Sequence, residues 1–367
     1  MADTVDSADS ADSADSASWS DAGAPAGQAG PGDSAGAAGA WQRARGVLDA
    51  ARLDPDRLAR VRPLTGGTYN AVEELLLTDG SRYVLKVAPA ATVPGLRHER
   101  GLLLAEAEFY RGAAEAGVAA PHVIPLRGET DTHLLMTALP GEPWNGEFTE
   151  AEQTDLRTEL GRQVARLHEV TGPDFGYPSG ALGPLAPDWR TAFTAMTEAV
   201  LADARHYRPR LPRPVDEMAR TLRSAHPVLD EVTVPRLVHF DLWPGNILVD
   251  RPTGQAPRIG GLIDGERMFW GDPLADFVSL ALLGDIKKDD AFLAGYREAG
   301  GRAEFDGPAR LRLALYRAYL YLIMLTETIP RGADVDQARW VQETVAPELV
   351  AALEEIDALT RAEFRTA

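Results

Sequence analysis

The segment Leu237–Asp250, LVHFDLWPGNILVD, places a His two residues before an Asp and an Asn five residues after it. A second acidic signal follows in Gly261-Leu-Ile-Asp-Gly-Glu266. Phosphoryl transfer needs such a set: one carboxylate orients the accepting hydroxyl, and another, helped by an amide oxygen, holds Mg²⁺. The spacing predicts Asp241 as the catalytic base, with Asn246 and Asp264 as metal ligands. His239 is expected to support the loop through backbone bonds rather than to carry a proton. A lone Asp before Pro244-Gly245 would more often cap a turn. It is the company of His239, Asn246 and Asp264 that favours chemistry.

ATP, the implied phosphoryl donor, needs contacts of its own. Lys86, in Tyr83-Val-Leu-Lys-Val87, fits the strand lysine that meets the α- and β-phosphates. Its acidic partner is expected on the next helix, with Glu106 preferred over Glu108 and Glu99. The turn Thr65-Gly66-Gly67-Thr68 precedes the lysine strand and is a candidate cover for the nucleotide, although it lacks the G-x-G-x-x-G spacing. Met136–Leu139 is the candidate connector, where the backbone of Thr137 and Leu139 would meet the adenine edge. Asp272 and Asp276 are expected to brace the catalytic loop by hydrogen bonds rather than bind metal. Trp243, Phe269 and Trp270 read as packing more than as ligand stacking.

Two kinds of structure must position these groups. Val72–Leu77 and Arg82–Val87 alternate like strands around Asp79-Gly80, a strong hairpin signal. A helix over about 96–116 and a strand pair near 123–126 and 132–137 complete a small α+β part. Beyond Leu139-Pro-Gly141 the pattern is mostly helical. Thr149-Glu-Ala-Glu152 is a capping box, and Leu156, Leu160, Val164 and Leu167 share one helix face. Further helices are expected at 189–204, 215–225, 273–284, 290–299, after Asp306-Gly-Pro308, and at about 336–364. Ile247–Val249 and Arg258–Ile263 read as a hairpin joining Asn246 to Asp264. The order predicts an α+β bilobal fold: a nucleotide-binding lobe over 41–138 with an antiparallel sheet, then a larger, mainly helical catalytic and substrate-binding lobe over 139–367.

Composition sets the remaining bounds. The 367 residues carry a formal charge of −18, of which seven Asp lie in residues 1–40, a stretch with no Lys or Arg. That stretch is low in complexity, has little to bury and is expected to be disordered. The acidic balance argues against nucleic-acid binding and is compatible with a cationic partner. With no Cys, disulfides and thiolate chemistry are excluded. No segment reads as a membrane span or signal peptide, since Leu311–Ile329 is interrupted by Arg312, Arg317 and Glu327. A cytoplasmic location is expected.

From Leu64 to Tyr321 the chain resembles the aminoglycoside phosphotransferase superfamily, whose members include choline, fructosamine, sugar and homoserine kinases. The family loop reads H-G-D-x-x-x-x-N; Phe240 stands in place of its Gly. The resemblance implies a protein-kinase-like fold, a base at Asp241, metal ligands at Asn246 and Asp264, and a phosphate contact at Lys86. Gly271-Asp-Pro273 and Asp276 are similar to the segment after the metal Asp, and Leu167-His168 to the Leu-His pair near the catalytic loop. Asp-Leu-Trp-Pro-Gly-Asn is similar to fructosamine kinases. The expected activity is ATP- and Mg²⁺-dependent phosphorylation of a small-molecule hydroxyl. An aminoglycoside or amino sugar is the first acceptor expected, held by Glu266, Glu327, Asp334, Asp336 or Glu343. A neutral sugar, a fructosamine or another small alcohol is the alternative. A catalytically silent binding protein is disfavoured because Lys86, Asp241, Asn246 and Asp264 are all present. A protein kinase is disfavoured because no activation segment is evident after Asp264.

Overall fold

The computed structural model describes residues 34–64, 69–128 and 132–366. The turn Thr65–Thr68 and most of the acidic stretch lie outside them. The first helix, α1 (Ser34–Ala50), begins inside the segment expected to be unstructured. Five strands follow: β1 (Leu58–Pro63), β2 (Ala71–Leu77), β3 (Arg82–Val87), β4 (Val123–Ile124) and β5 (His133–Thr137). They form one antiparallel sheet in the order β1-β2-β3-β5-β4. Strand alternation divides two cores. Leu75, Leu85 and Leu135 pack with Ala44, Val47 and Leu48 of α1. Leu134 and Met136 face the main core, with Val84 packed against it. Lys86 shares the Val84 side of β3, away from α1 and towards the rest of the molecule.

Between β3 and β4 the expected long helix is split. A 3-10 turn spans Arg97–Glu99, Gly101 takes a left-handed conformation (φ 72°), and α2 (Leu102–Glu115) starts only there. The change from sheet to helix falls after Thr137. The short β6 (Glu142–Pro143) pairs with β8 (Ile247–Asp250), which pairs in turn with β9 (Arg258–Leu262). The expected hairpin therefore forms and carries Asn246 and Asp264 at neighbouring strand ends. β7 (Arg236–Val238) pairs with β10 (Phe269–Gly271) and flanks the same loops.

Helices build the remainder. α3 (Glu150–Leu167) has its capping box in place, with Thr149 and Glu152 exchanging bonds. α4 (Trp189–Tyr207) and α5 (Val215–Ala225) follow. α6 (Leu274–Leu280) stops short of the expected end, as Leu283 turns left-handed at φ 62°. α7 (Asp290–Glu298) packs on α3. α8 (Gly307–Glu327) is buried along most of its length, which explains its apolar composition. Among the described residues no helix is long and apolar enough to cross a membrane. The expected final helix is interrupted: α9 (Val335–Trp340) runs into a π-helical turn at Val341–Val345 before α10 (Ala346–Thr366). Pro347 has no N–H for the Glu343 carbonyl and its ring crowds that turn, a sufficient cause for the break.

Candidate active site

Two helices fasten the loop His239–Asn246 from beneath. Asp276 on α6 accepts from the backbone N–H of His239 (3.1 Å) and of Phe240 (2.6 Å), and bonds Nε2 of His168 (2.9 Å) at the end of α3. One turn along α6, Ser279 Oγ accepts from Leu242 N–H (3.0 Å). The carboxylate stabilises a strained backbone, because Phe240 sits at φ 63°, where a glycine would rest easily. Its ring is fully buried against Phe269 and Tyr319, with centroids 5.1 and 5.7 Å away. Phe240 thus replaces conformational ease by packing.

His239 bonds backbone groups with both ring nitrogens. Its Nδ1 accepts from Asp241 N–H (3.2 Å) and its Nε2–H donates to Ile263 C=O (2.9 Å), which fixes the neutral tautomer. Asn246 donates Nδ2–H to the Asp241 carbonyl (2.8 Å), leaving Oδ1 as its acceptor. The Asp241 side chain is 28 % exposed, and burial pushes its carboxyl above the ordinary range despite the Arg267 guanidinium 3.8 Å away.

Across the cleft, Lys86 Nζ meets Glu106 Oε1 at 2.7 Å and also pairs with Asp264. Tyr110, one turn after Glu106, donates to Glu106 Oε1 (2.6 Å) and accepts from Asp264 N–H (3.0 Å). Phe109 lies edge-on to His239 at 4.7 Å. It packs so closely on Gly265 that a Cβ there would come within 2.3 Å of its ring. Helix α2 therefore touches the lysine, Asp264 and the catalytic loop at once. Burial penalises the Lys86 ammonium, but Asp264, Glu106 and Glu266 outweigh it and hold the pKa well above normal. Burial likewise works against Asp264, and Lys86 more than reverses it.

Some expectations change. Glu266 does not stand among free acidic anchors: it accepts from Asn70 Nδ2–H (2.6 Å), lies 3.9 Å from Lys86, and burial with the Asp264 charge pushes it to about 8. Glu327 lies between Arg267 (2.8 Å) and Arg331 (3.2 Å). Asp334 caps α9 by accepting from Gln337 N–H (2.8 Å), and Asp336 pairs with Arg339 (2.8 Å). Glu343 is exposed in the π-helical turn. Asp272 braces α8 rather than the catalytic loop, bonding Arg312 Nε (2.9 Å) and Tyr316 OH (2.7 Å). In the connector, Thr137 N–H is bound to His122 C=O (3.0 Å) and Ala138 N–H to Arg82 C=O (3.1 Å), so Leu139 offers the next donor. Phe269 and Trp270 are core residues, and Trp243 is half-buried.

The donor set suits a hard cation. Carboxylate oxygens of Glu106, Asp264 and Glu266 lie within 4.8 Å of one another. Glu106 Oε2 is buried with no hydrogen-bond partner among the described residues. Of these carboxylates, that of Asp264, held ionised by Lys86, joins Oδ1 of Asn246 as an oxygen that fits Mg²⁺, and the Lys86 ammonium fits phosphate.

The model of the phosphotransferase enzyme family matches residues 60–314. The chain belongs to that family. Among curated relatives of this phosphotransferase, the "Probable ketoamine kinase" of Lactiplantibacillus plantarum is 28 % identical over 294 residues, 75 % of this chain and 91 % of the relative. A second protein described as a ketoamine kinase, from Enterococcus faecium, is 30 % identical over 206 residues, 52 % of this chain and 66 % of its own. Among solved structures, a fructosamine-3-kinase candidate from Thermobifida fusca superposes with a TM-score of 0.59 at 23 % identity, over 83 % of this chain and 99 % of that one. That likeness shows the protein-kinase-like fold, and the family makes the chain a small-molecule kinase.

Near the cleft, His98 carries a stability prediction. It is 1 % exposed, stacks on Tyr177, and has no partner on either ring nitrogen among the described residues. Burial, with the Arg267 and Arg331 charges, lowers its pKa to about 4 against Glu99 and Glu327; burial lowers His226 to about 4 as well. Between pH 6.5 and 4 the unfolded chain binds protons that the folded one refuses. The two histidines therefore contribute fully above pH 6.5 and lose stability as the pH drops, by up to about 1.4 kcal/mol each per pH unit. Glu266, raised to about 8, gains over the same range and offsets about one histidine's share, so the net change remains a fall. Urea unfolding at pH 7, 6 and 5 measures this, and midpoints that do not move would contradict it.

Proposed function

We propose that the chain moves the γ-phosphoryl group of ATP, with Mg²⁺, to a hydroxyl of a ketoamine, the sugar adduct of an amine. Asp241 orients the hydroxyl and takes its proton as the oxygen attacks. Lys86, steadied by Glu106, contacts the phosphates, while Asn246 and Asp264 hold the metal. Bound Mg²⁺·ATP supplies the electrophilic phosphorus and offsets the charge on its oxygens. The lobe ending near Thr137 would hold the nucleotide, with the adenine edge at the Thr137–Leu139 backbone. The helical lobe would hold the acceptor.

The acceptor class rests on the engagement of the acidic side chains. A polycationic aminoglycoside needs free carboxylates, yet Glu327 is flanked by two arginines, Glu266 is bound to Asn70 beside Lys86, and Asp334 caps a helix. An acceptor with one amine and several hydroxyls asks less of them, and two relatives named for ketoamines point the same way. ADP release is expected with fructosylglycine, and neither with fructose nor with a panel of aminoglycosides; EDTA should abolish it. Turnover confined to aminoglycosides would reverse the acceptor assignment.

A further inference from the structure

A row of alternating charges leads away from Asp241. Arg267, whose side chain is 11 % exposed, reaches Asp241 Oδ2 with Nε at 3.8 Å and Glu327 Oε2 with a terminal nitrogen at 2.8 Å. Glu327 also meets Arg331 (3.2 Å), and Arg331 pairs with Glu99 of the N-terminal lobe and lies over the Tyr69 ring. Each of these carboxylates and guanidiniums has an opposite charge beside it. Arg267 follows the metal-site loop by only three residues, in the 3-10 turn Gly265–Arg267, so its backbone is fixed by the same close packing on Phe109.

We propose that Arg267 is a positioning residue: anchored by Glu327, its guanidinium fixes the Asp241 carboxylate in the orientation that meets the acceptor hydroxyl. This rests on the assignment of Asp241 as base. Held by its hydrogen bond to Glu327, the guanidinium presents its charge to Asp241 at ion-pair distance from one fixed direction, a constraint that a mobile lysine ammonium would not impose. The reaction is sensitive to such restriction, because a misplacement of about 1 Å in a reacting group costs on the order of 100-fold in rate. Glu327, held ionised by its two arginines, keeps the anchor charged against the penalty of burial.

The test is a double-mutant cycle on the full chain, with fructosylglycine and Mg²⁺·ATP as probes. Arg267→Gln is expected to lower kcat by about 10- to 100-fold while the KM for ATP changes less than about twofold. In an Asp241→Asn background the same substitution should have little further effect, because its influence runs through the missing carboxylate. Equal losses in both backgrounds, or a loss expressed in the KM for ATP, would overturn the proposal. If Arg267→Gln does not fold, Arg267→Lys keeps the charge without the guanidinium and is judged by the same two criteria. Undiminished turnover in Asp241→Asn alone removes the base assignment instead, so the two failures are told apart.

Discussion

Asp241→Asn should lower turnover of fructosylglycine by roughly 10²- to 10⁴-fold, the range of general-base assistance, with ATP still bound. The substitution preserves shape and removes the acceptor of the hydroxyl proton. Burial already penalises the Asp241 carboxylate, so a neutral amide of the same shape relieves that penalty, and Arg267 keeps its partner Glu327. The fold should therefore survive, and lost activity can be assigned to chemistry. Coupled ADP-release kinetics beside calorimetric titration with ATP would measure both. Turnover within a few-fold of the parent would remove Asp241 as base.

The second large effect is on stability. Asp276→Ala should cost about 3 kcal/mol or more, at about 1–3 kcal/mol for each buried donor left without its acceptor. Asp276 is fully buried and holds two consecutive N–H groups of the catalytic loop together with His168. Alanine would leave all three without that acceptor, and one of the N–H groups belongs to Phe240, whose left-handed backbone most needs holding. Asp276→Asn keeps one acceptor oxygen and should lose less. Urea denaturation of both variants would measure the difference, and a loss below about 1 kcal/mol for Asp276→Ala would contradict the bracing role.

Much of the site was legible because its signals are local. The loop spacing, the hairpin that joins Asn246 to Asp264, and the distance from Glu106 to the Gly117–Pro121 segment all lie within short windows of sequence. Tyr110, Arg267, Asn70 and Ser279 were not identified. Tyr110 follows Glu106 at i+4 and Ser279 follows Asp276 at i+3, spacings that put each pair on one helix face. Nothing in those windows shows what the face meets. Asn70 and Glu266 are 196 residues apart, and only the closed fold joins them. The engagement of the acidic residues expected to hold the acceptor is likewise distant in sequence: nothing near Glu327 announces Arg267, and nothing near Glu266 announces Asn70. The broken helices have a different cause. Periodicity runs through the left-handed Gly101 and the π-helical turn before Pro347 without registering either.

The strand β5 belongs to one sheet and β6 to another, so the chain between them has only Ala138–Gly141 in which to bend. A pivot that short leaves little freedom in the angle between the lobes. Across that bend the two parts are joined by polar pairs, Lys86 with Asp264, Asn70 with Glu266 and Glu99 with Arg331, and by Phe109 and Tyr110 of α2 against Gly265 and Asp264. A hinge of four residues is thus bridged on one side by charge and on the other by close apolar packing, so the two parts are held in one arrangement by both kinds of contact.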